Sequence, residues 1–173
     1  MRWSGLAVFK REQMVGTLTT DETCKFMQIQ KHKGGGTITF PYDDNSEQLV
    51  TISLEYIKSK DTISYENGRV VARKSIFLEG KLLEKTFDSD LSTPQAIKEI
   101  ESDAEQYLNH TAARMVSKLQ NDYSSDILGL GSKIRSYQPK IWEQLEWRKH
   151  DFSEADIQIT YIMKIRNNGM EMK

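Results

Sequence analysis

The stretch from residue 93 to residue 122 constrains the fold more than any other part of the chain, because it predicts one long amphipathic helix. Ser92 or Thr93 can accept hydrogen bonds from the first free amides, and Pro94 stands where proline is favoured in a helix. Apolar and small residues then recur at spacings of three and four, at Ile97, Ile100, Ala104, Leu108, Thr111, Met115 and Leu119. The pattern fades near Asp122, which gives a helix of about 29 residues and roughly 43 Å. A helix with one apolar face needs a second layer to cover it.

A glycine-containing corner follows the long helix and leads into a second, shorter helix. Asp126 precedes Gly129 and Gly131, and Pro139 and Trp142 follow them. Two glycines separated by one residue permit a tight turn between helices without side-chain clash. We interpret these five residues as a structural motif. A nucleotide-binding loop is disfavoured here, because a helix and not a strand precedes the glycines.

The aromatic residues after the corner predict both core and surface positions. Ile141, Trp142 and Leu145 share one helical face, so we expect them in the core. Trp147 falls off that face, so we expect it at the surface. Exposed tryptophan is enriched at protein interfaces, which makes Trp147 a candidate partner contact.

Strand patterns occupy most of the chain outside these helices. Residues 5–10 and 14–18 predict a hairpin whose first strand, a continuous apolar run, is covered on both faces. Thr20 or Asp21 is expected to cap a short helix that buries Phe26, Met27 and Ile29 and ends at the three glycines of residues 34–36. Further strands are predicted over residues 37–40, 50–56, 62–66, 69–79 and 157–166.

Two of these strands carry sharper signals. Val50, Ile52, Leu54 and Tyr56 alternate with polar residues, as in a half-buried strand, and Asn67-Gly68 is the sequence of a two-residue hairpin turn. The sequence therefore predicts an α+β domain over residues 1–173. We expect a twisted, mostly antiparallel or mixed sheet of about five strands, packed against one long and two shorter helices.

Composition and residue spacing argue against several classes of function. The 173 residues have a formal net charge of -1 and no sustained basic run, which disfavours nucleic acid as a partner. Cys24 is the only cysteine, so no intrachain disulfide can form. The three histidines lie in different predicted elements without the spacing of metal ligands. We expect no cofactor, no metal and no catalytic activity.

The corner and its flanking motifs resemble the C-terminal domain of the Ger(x)C family, the lipoprotein C subunits of bacterial spore germinant receptors. The resemblance rests on an Asp-Ile-x-Gly-x-Gly corner from Asp126 after a long helix, and on the Tyr-x-Pro-Lys-x-Trp sequence that ends at Trp142. Segments near residues 5–10, 15–18 and 164–169 also fit. The similarity covers nearly the whole chain, from about residue 4 to residue 169.

The resemblance implies a role that composition does not reveal. It implies a non-catalytic subunit domain that acts in receptor assembly or signal relay during spore germination, beside the membrane-spanning A and B subunits. It also implies a larger lipoprotein on the outer face of the spore inner membrane, with upstream domains and a lipid anchor that this sequence does not contain. No stretch here approaches the roughly 20 apolar residues of a membrane span. The alternative is an extracytoplasmic domain that binds a small nutrient in a partly apolar pocket.

Overall fold

The structure is a computed structural model that describes residues 5–30, 36–43, 45–88, 90–91 and 93–166. Strands in this part of the chain form two sheets. A two-stranded sheet pairs β1 (Leu6–Lys10) with β2 (Gln13–Leu18). The main sheet has the order β3-β4-β5-β6 and consists of β3 (Gly36–Tyr42), β4 (Asn45–Glu66), β5 (Arg69–Lys85) and β6 (Asp156–Ile165). The strands β3 to β5 are antiparallel and β6 is parallel to β5.

Helices and helical turns complete the α+β fold, whose class is confirmed. They are α1 (Thr20–Ile29), α2 (Pro94–Ser117), a π-helical turn (Lys118–Asp122), α3 (Leu130–Tyr137), α4 (Pro139–Trp142), a second π-helical turn (Trp147–Asp151) and α5 (Phe152–Glu154). The sequence predicts a single sheet of about five strands. The structure has a main sheet and a separate hairpin instead. The second shorter helix is broken into several short pieces.

The long predicted helix is confirmed, because α2 continues directly into its π-helical turn. Thr93 is the N-cap, and its hydroxyl accepts the Ala96 N–H at 3.1 Å. The alternative cap, Ser92, lies outside the described residues. The buried face contains six of the seven predicted positions, while Ile97 is only partly buried and packs against the core. This face covers the inner side of the main sheet, where it meets β6 and β3.

The main sheet has one buried and one open face, as the alternation predicts. Val50, Ile52 and Leu54 of β4 are buried. Tyr56, predicted on the same face, is 52% exposed. The register shifts between Leu54 and Tyr56, and this bulge turns the tyrosine to the open face.

The strand ends follow local sequence. Asn67 and Gly68 form the two-residue turn between β4 and β5, with φ values of 51° and 80°. The left-handed conformation at both positions is the reason that Asn-Gly predicts such turns. Pro41 does not stop β3, which continues to Tyr42 across a bulge. Because β3 is an edge strand, the missing N–H of Pro41 costs no ladder hydrogen bond.

The N-terminal segment departs from the sequence pattern in three places. Phe9 of β1 is 52% exposed, so the strand is not covered on both faces. Thr19 caps α1, one residue before the predicted caps, and forms a capping box with Glu22. Met27, predicted inside, is 40% exposed. The predicted end of α1 falls on residues 31–36, of which the structure describes only Gly36.

The edge strand β6 is protected by a row of side chains from α2. Asn109 accepts the Tyr161 N–H at 2.8 Å, Glu105 accepts the Met163 N–H at 2.9 Å, and Glu101 accepts the Ile165 N–H at 2.8 Å. The acceptors are four residues apart on the helix and the donors are two residues apart on the strand. The two spacings match, because four helical residues rise about 6 Å and two strand residues about 6.6 Å. The helix thus takes the place of a further strand along this edge.

Candidate functional site

Asp126 is the central acceptor of the corner between α2 and α3. Its Oδ1 accepts the Leu130 N–H at 3.1 Å. Its Oδ2 accepts the Gly131 N–H at 2.7 Å and the Trp147 Nε1–H at 3.0 Å. The first two donors are free amides at the start of α3, which need an acceptor outside the helix. One carboxylate therefore caps α3 and fixes a tryptophan that follows 21 residues later.

Gly129 and Gly131 serve this corner for different reasons. Gly129 has a φ of +73°, a left-handed conformation that side chains disfavour. At Gly131 a Cβ would lie 2.4 Å from Trp147 Nε1, so the absent side chain makes room for the indole. Backbone conformation thus accounts for Gly129, and close packing against Trp147 accounts for Gly131.

The prediction that Trp147 is exposed is wrong, because the side chain is only 5% exposed. The predicted helix ends after α4, and Trp147 begins a separate π-helical turn. The change in chain direction turns the indole inward, against Asp126 and edge-to-face with Phe152 at 5.7 Å between ring centroids. The proposal of a partner contact at Trp147 loses the exposure on which it was based.

Pro139 and Trp142 occupy the first and last positions of α4. Proline is favoured at such a first position, where no intrahelical N–H bond is lost. Trp142 and its predicted core neighbours Ile141 and Leu145 are partly buried and pack against the core. The structure therefore brings Asp126, Gly131 and Trp142 around one depression, whereas Pro139 lies outside its lining.

The β1–β2 hairpin is attached to the same region by the residues that follow α2. The Tyr123 hydroxyl donates to the Thr17 carbonyl at 2.9 Å and accepts the Thr17 N–H at 3.2 Å. The Ser125 hydroxyl donates to the Phe9 carbonyl at 2.7 Å. A Cβ on Gly16 would lie 2.3 Å from the Tyr123 ring, so the glycine lets the ring lie against β2.

Between the hairpin and the corner lies a cleft of about 410 Å³, which we call the basic cleft. Four cationic side chains line it: Lys10, Arg11, Arg135 and Arg148. All four are exposed residues. Among the described residues Asp126 is the only carboxylate in the lining, and three N–H groups already occupy its oxygens. Sequence reasoning missed this cleft, because its cations come from three separate segments of the chain.

A second group of titratable residues lies between α1 and α2. Lys25, whose side chain is 1% exposed, forms an ion pair with Asp21 at 3.1 Å. The Tyr107 hydroxyl donates to the same carboxylate at 3.0 Å. Burial, and then the charge of Asp21, raise the pKa of Tyr107 to about 12. The phenol therefore keeps its proton at neutral pH, and its hydrogen bond to Asp21 joins α2 to α1.

Other chemistry-bearing residues lie apart. Cys24 is exposed on α1, and His110 is exposed on α2. Within the described ranges no three His, Cys, Asp or Glu residues are grouped so that they could hold a metal ion. In the same part of the chain, no helix is both long enough and apolar enough to span a bilayer.

Comparison with known proteins gives matches that cover most of the sequence. Residues 4–169 match the family described as spore germination B3/GerAC-like, C-terminal. Spore germination protein B3 of Bacillus subtilis (strain 168) is 27% identical over 172 residues, which cover 97% of this chain and 45% of that protein. Spore germination protein KC of the same organism is 26% identical over 147 residues, or 73% of this chain and 36% of that protein.

A solved structure extends the similarity to three dimensions. The crystal structure of the GerBC protein superposes with a TM-score of 0.80 at 26% sequence identity, and covers 96% of this chain and 52% of that one. The chain thus spans about half the length, or less, of the proteins it matches.

Proposed function

Because the chain belongs to the spore germination B3/GerAC-like C-terminal family, we propose that it is a non-catalytic domain of a nutrient germinant receptor. Its role in this proposal is receptor assembly or signal relay during spore germination. The family match over residues 4–169 carries the proposal. The family description, and the coverage of less than half of the B3 protein, support a C-terminal domain of a longer subunit. We place that subunit on the outer face of the spore inner membrane through an upstream lipid anchor.

The open face of the main sheet offers a surface for such a role. Phe77 of β5 pairs in register with Ile162 of β6, and Tyr56 of β4 lies diagonal to Phe77. Their exposed fractions are 38%, 40% and 52%. We call these three residues the apolar patch. Aromatic residues at the centre of a patch with a charged rim are typical of protein interfaces, and Lys58, Glu79 and Lys164 surround this one.

We assign the apolar patch to contact with the membrane-spanning A and B subunits of the receptor. A double substitution, Phe77→Thr and Ile162→Thr, in the full-length gene tests the assignment. Threonine is favoured in strands and adds no charge opposite Lys58, so we expect the protein to accumulate normally. We expect nutrient-triggered germination to be lost, together with co-purification of the other two subunits.

The matched control is Met14→Thr, which places threonine at a 51% exposed apolar position of β2 outside the patch. Sporulation yield and the amount of subunit in the spore membrane are measured for both strains. Normal germination and normal co-purification with the double variant would refute the assignment. Normal germination of a strain without the gene would refute the receptor role itself.

The second candidate function is the binding of a small nutrient. The basic cleft favours it, since ligand sites are concave and combine apolar walls with a few convergent polar groups.

A further inference from the structure

No described residue pairs with the charges of the basic cleft. The side chains of Lys10, Arg11, Arg135 and Arg148 make no ion pair or side-chain hydrogen bond with the described residues. Most other lysines and arginines on the sheet surface are paired, for example Lys74 with Asp61 at 2.6 Å. The whole chain has a net charge of -1, so a cleft lined by four cations is a local concentration of positive charge. A concave wall of one sign focuses the field and attracts counter-ions.

The cleft also has apolar walls. Trp142 is partly buried and lines it, and so does Phe9, which is 52% exposed. A guanidinium presents a planar set of donors that matches a carboxylate or phosphate, while an indole or phenyl ring covers an apolar body. A volume of about 410 Å³ lies within the range of small-molecule sites.

Arg11 stands where the backbone favours other residues. Its φ is +58°, in the left-handed region that favours glycine and asparagine. Arg11 lines the cleft from the turn between β1 and β2. Strain of this kind is common at ligand sites, where the position of a side chain outweighs local stability.

We propose that the basic cleft binds a small molecule in which a phosphate or carboxylate group is attached to an apolar body. Arg11, Arg135 and Arg148 bind the oxyanion, and Trp142 packs against the body. This inference goes beyond the assembly role and does not depend on it, because the cleft and the apolar patch share no residue. A variant that loses ligand binding at the basic cleft can therefore still be tested for contact with the other subunits, and a variant of the apolar patch can still be tested for ligand binding.

Phenyl phosphate is the probe, and phenol and inorganic phosphate are its two halves. Binding to the 173-residue chain is followed by the backbone and indole N–H signals in two-dimensional NMR. We expect saturable shifts confined to residues of the cleft, among them the Trp142 indole and the Ser132 amide. Phenol and inorganic phosphate are each expected to bind at least about tenfold more weakly, since each lacks one of the two contacts.

Substitutions separate the cleft from surface charge in general. Arg135→Gln and Arg148→Gln should each weaken phenyl phosphate binding about tenfold, the loss expected for one charge-assisted hydrogen bond. Arg114→Gln, which removes an exposed arginine of α2 outside the cleft, should leave the affinity unchanged. Arg11→Asn should weaken binding by a similar factor without lowering the free energy of unfolding, because asparagine tolerates the left-handed conformation.

Several results would overturn the proposal. One is the absence of saturable shifts at millimolar phenyl phosphate. Others are shifts scattered over the lysines and arginines of the surface, or equal losses for Arg114→Gln and Arg135→Gln, since diffuse charge then explains the binding. Equal affinity for free phosphate and phenyl phosphate would show that the apolar wall of the cleft does not contribute to binding. The cleft would then bind an adventitious ion only.

Discussion

At the scale of single residues, the contact between Gly131 and Trp147 gives a sharp test of the corner. We expect Gly131→Ala to lower the free energy of unfolding by about 1–3 kcal/mol, the usual cost of forcing extra atoms into a packed site. The added Cβ would lie 2.4 Å from Trp147 Nε1, and the indole cannot retreat without breaking its bond to Asp126. Urea unfolding measures the change.

Gly36→Ala is the matched control for this substitution. Nothing lies within 4 Å of a Cβ at Gly36, and its φ lies outside the left-handed region. We expect a change within about 0.5 kcal/mol, as for other surface substitutions. Equal stability of Gly131→Ala and Gly36→Ala would show that the close approach of Trp147 is not a constraint in solution.

At the scale of elements, α2 and β6 depend on each other through the row of acceptors along the strand edge. We expect Glu105→Ala to cost about 1–3 kcal/mol, because it leaves the partly buried N–H of Met163 without an acceptor. Amide exchange at Met163 should become faster than in the unmodified protein. The amides of Tyr161 and Ile165 keep their own acceptors on α2 and should change less.

Glu105→Gln is the control, since its amide oxygen can still accept the Met163 N–H while the charge is removed. We expect most of the stability and of the exchange protection to remain. If Glu105→Ala left the exchange of Met163 unaltered, water would be able to replace the carboxylate, and the row would not protect the edge.

At the scale of the whole molecule, the sequence correctly predicts those helices, turns and strands that local periodicity or a local turn sequence determines. The long helix, the hairpin at Asn67-Gly68 and the alternation of β6 each follow from residues close together in the chain, and all three are present. The predicted burial of Tyr56 and the predicted exposure of Trp147 are wrong for a common reason. A bulge and a break in a helix each shift the periodicity, and neither has a local signal in this sequence. The basic cleft has no local pattern at all, because only the fold brings Arg11, Arg135 and Arg148 to the lining of one cleft.

Two buried or half-buried carboxylates link separate elements and make the stability of the molecule depend on pH. Glu22 of α1 bonds to Lys118 at 3.1 Å, and Asp61 of β4 bonds to Lys133 of α3 at 2.7 Å. Burial by itself would raise the pKa of Glu22, but the Thr19 N–H and Lys118 outweigh it and lower that pKa. Burial is likewise outweighed at Asp61, where Lys133 and Lys74 lower the pKa of the carboxyl.

A carboxyl whose pKa is lower in the folded state stabilises the protein above its unfolded pKa, and this contribution disappears as the pH falls through the folded value. The ordinary values are 4.5 for Glu22 and 3.8 for Asp61. We therefore expect the free energy of unfolding to fall in acid below about pH 4.5.

Glu22→Gln tests this dependence at one carboxyl. We expect the variant to be less stable than the unmodified protein at about pH 7 and to lose less stability between about pH 7 and about pH 3.5, so that the two approach each other in acid. Urea unfolding at both pH values measures the difference. Glu143→Gln, which removes an exposed carboxylate without an ion pair in the described part of the chain, is expected to keep the full acid loss. Parallel curves for Glu22→Gln and the unmodified protein would show that the bond between α1 and Lys118 does not contribute to stability at neutral pH.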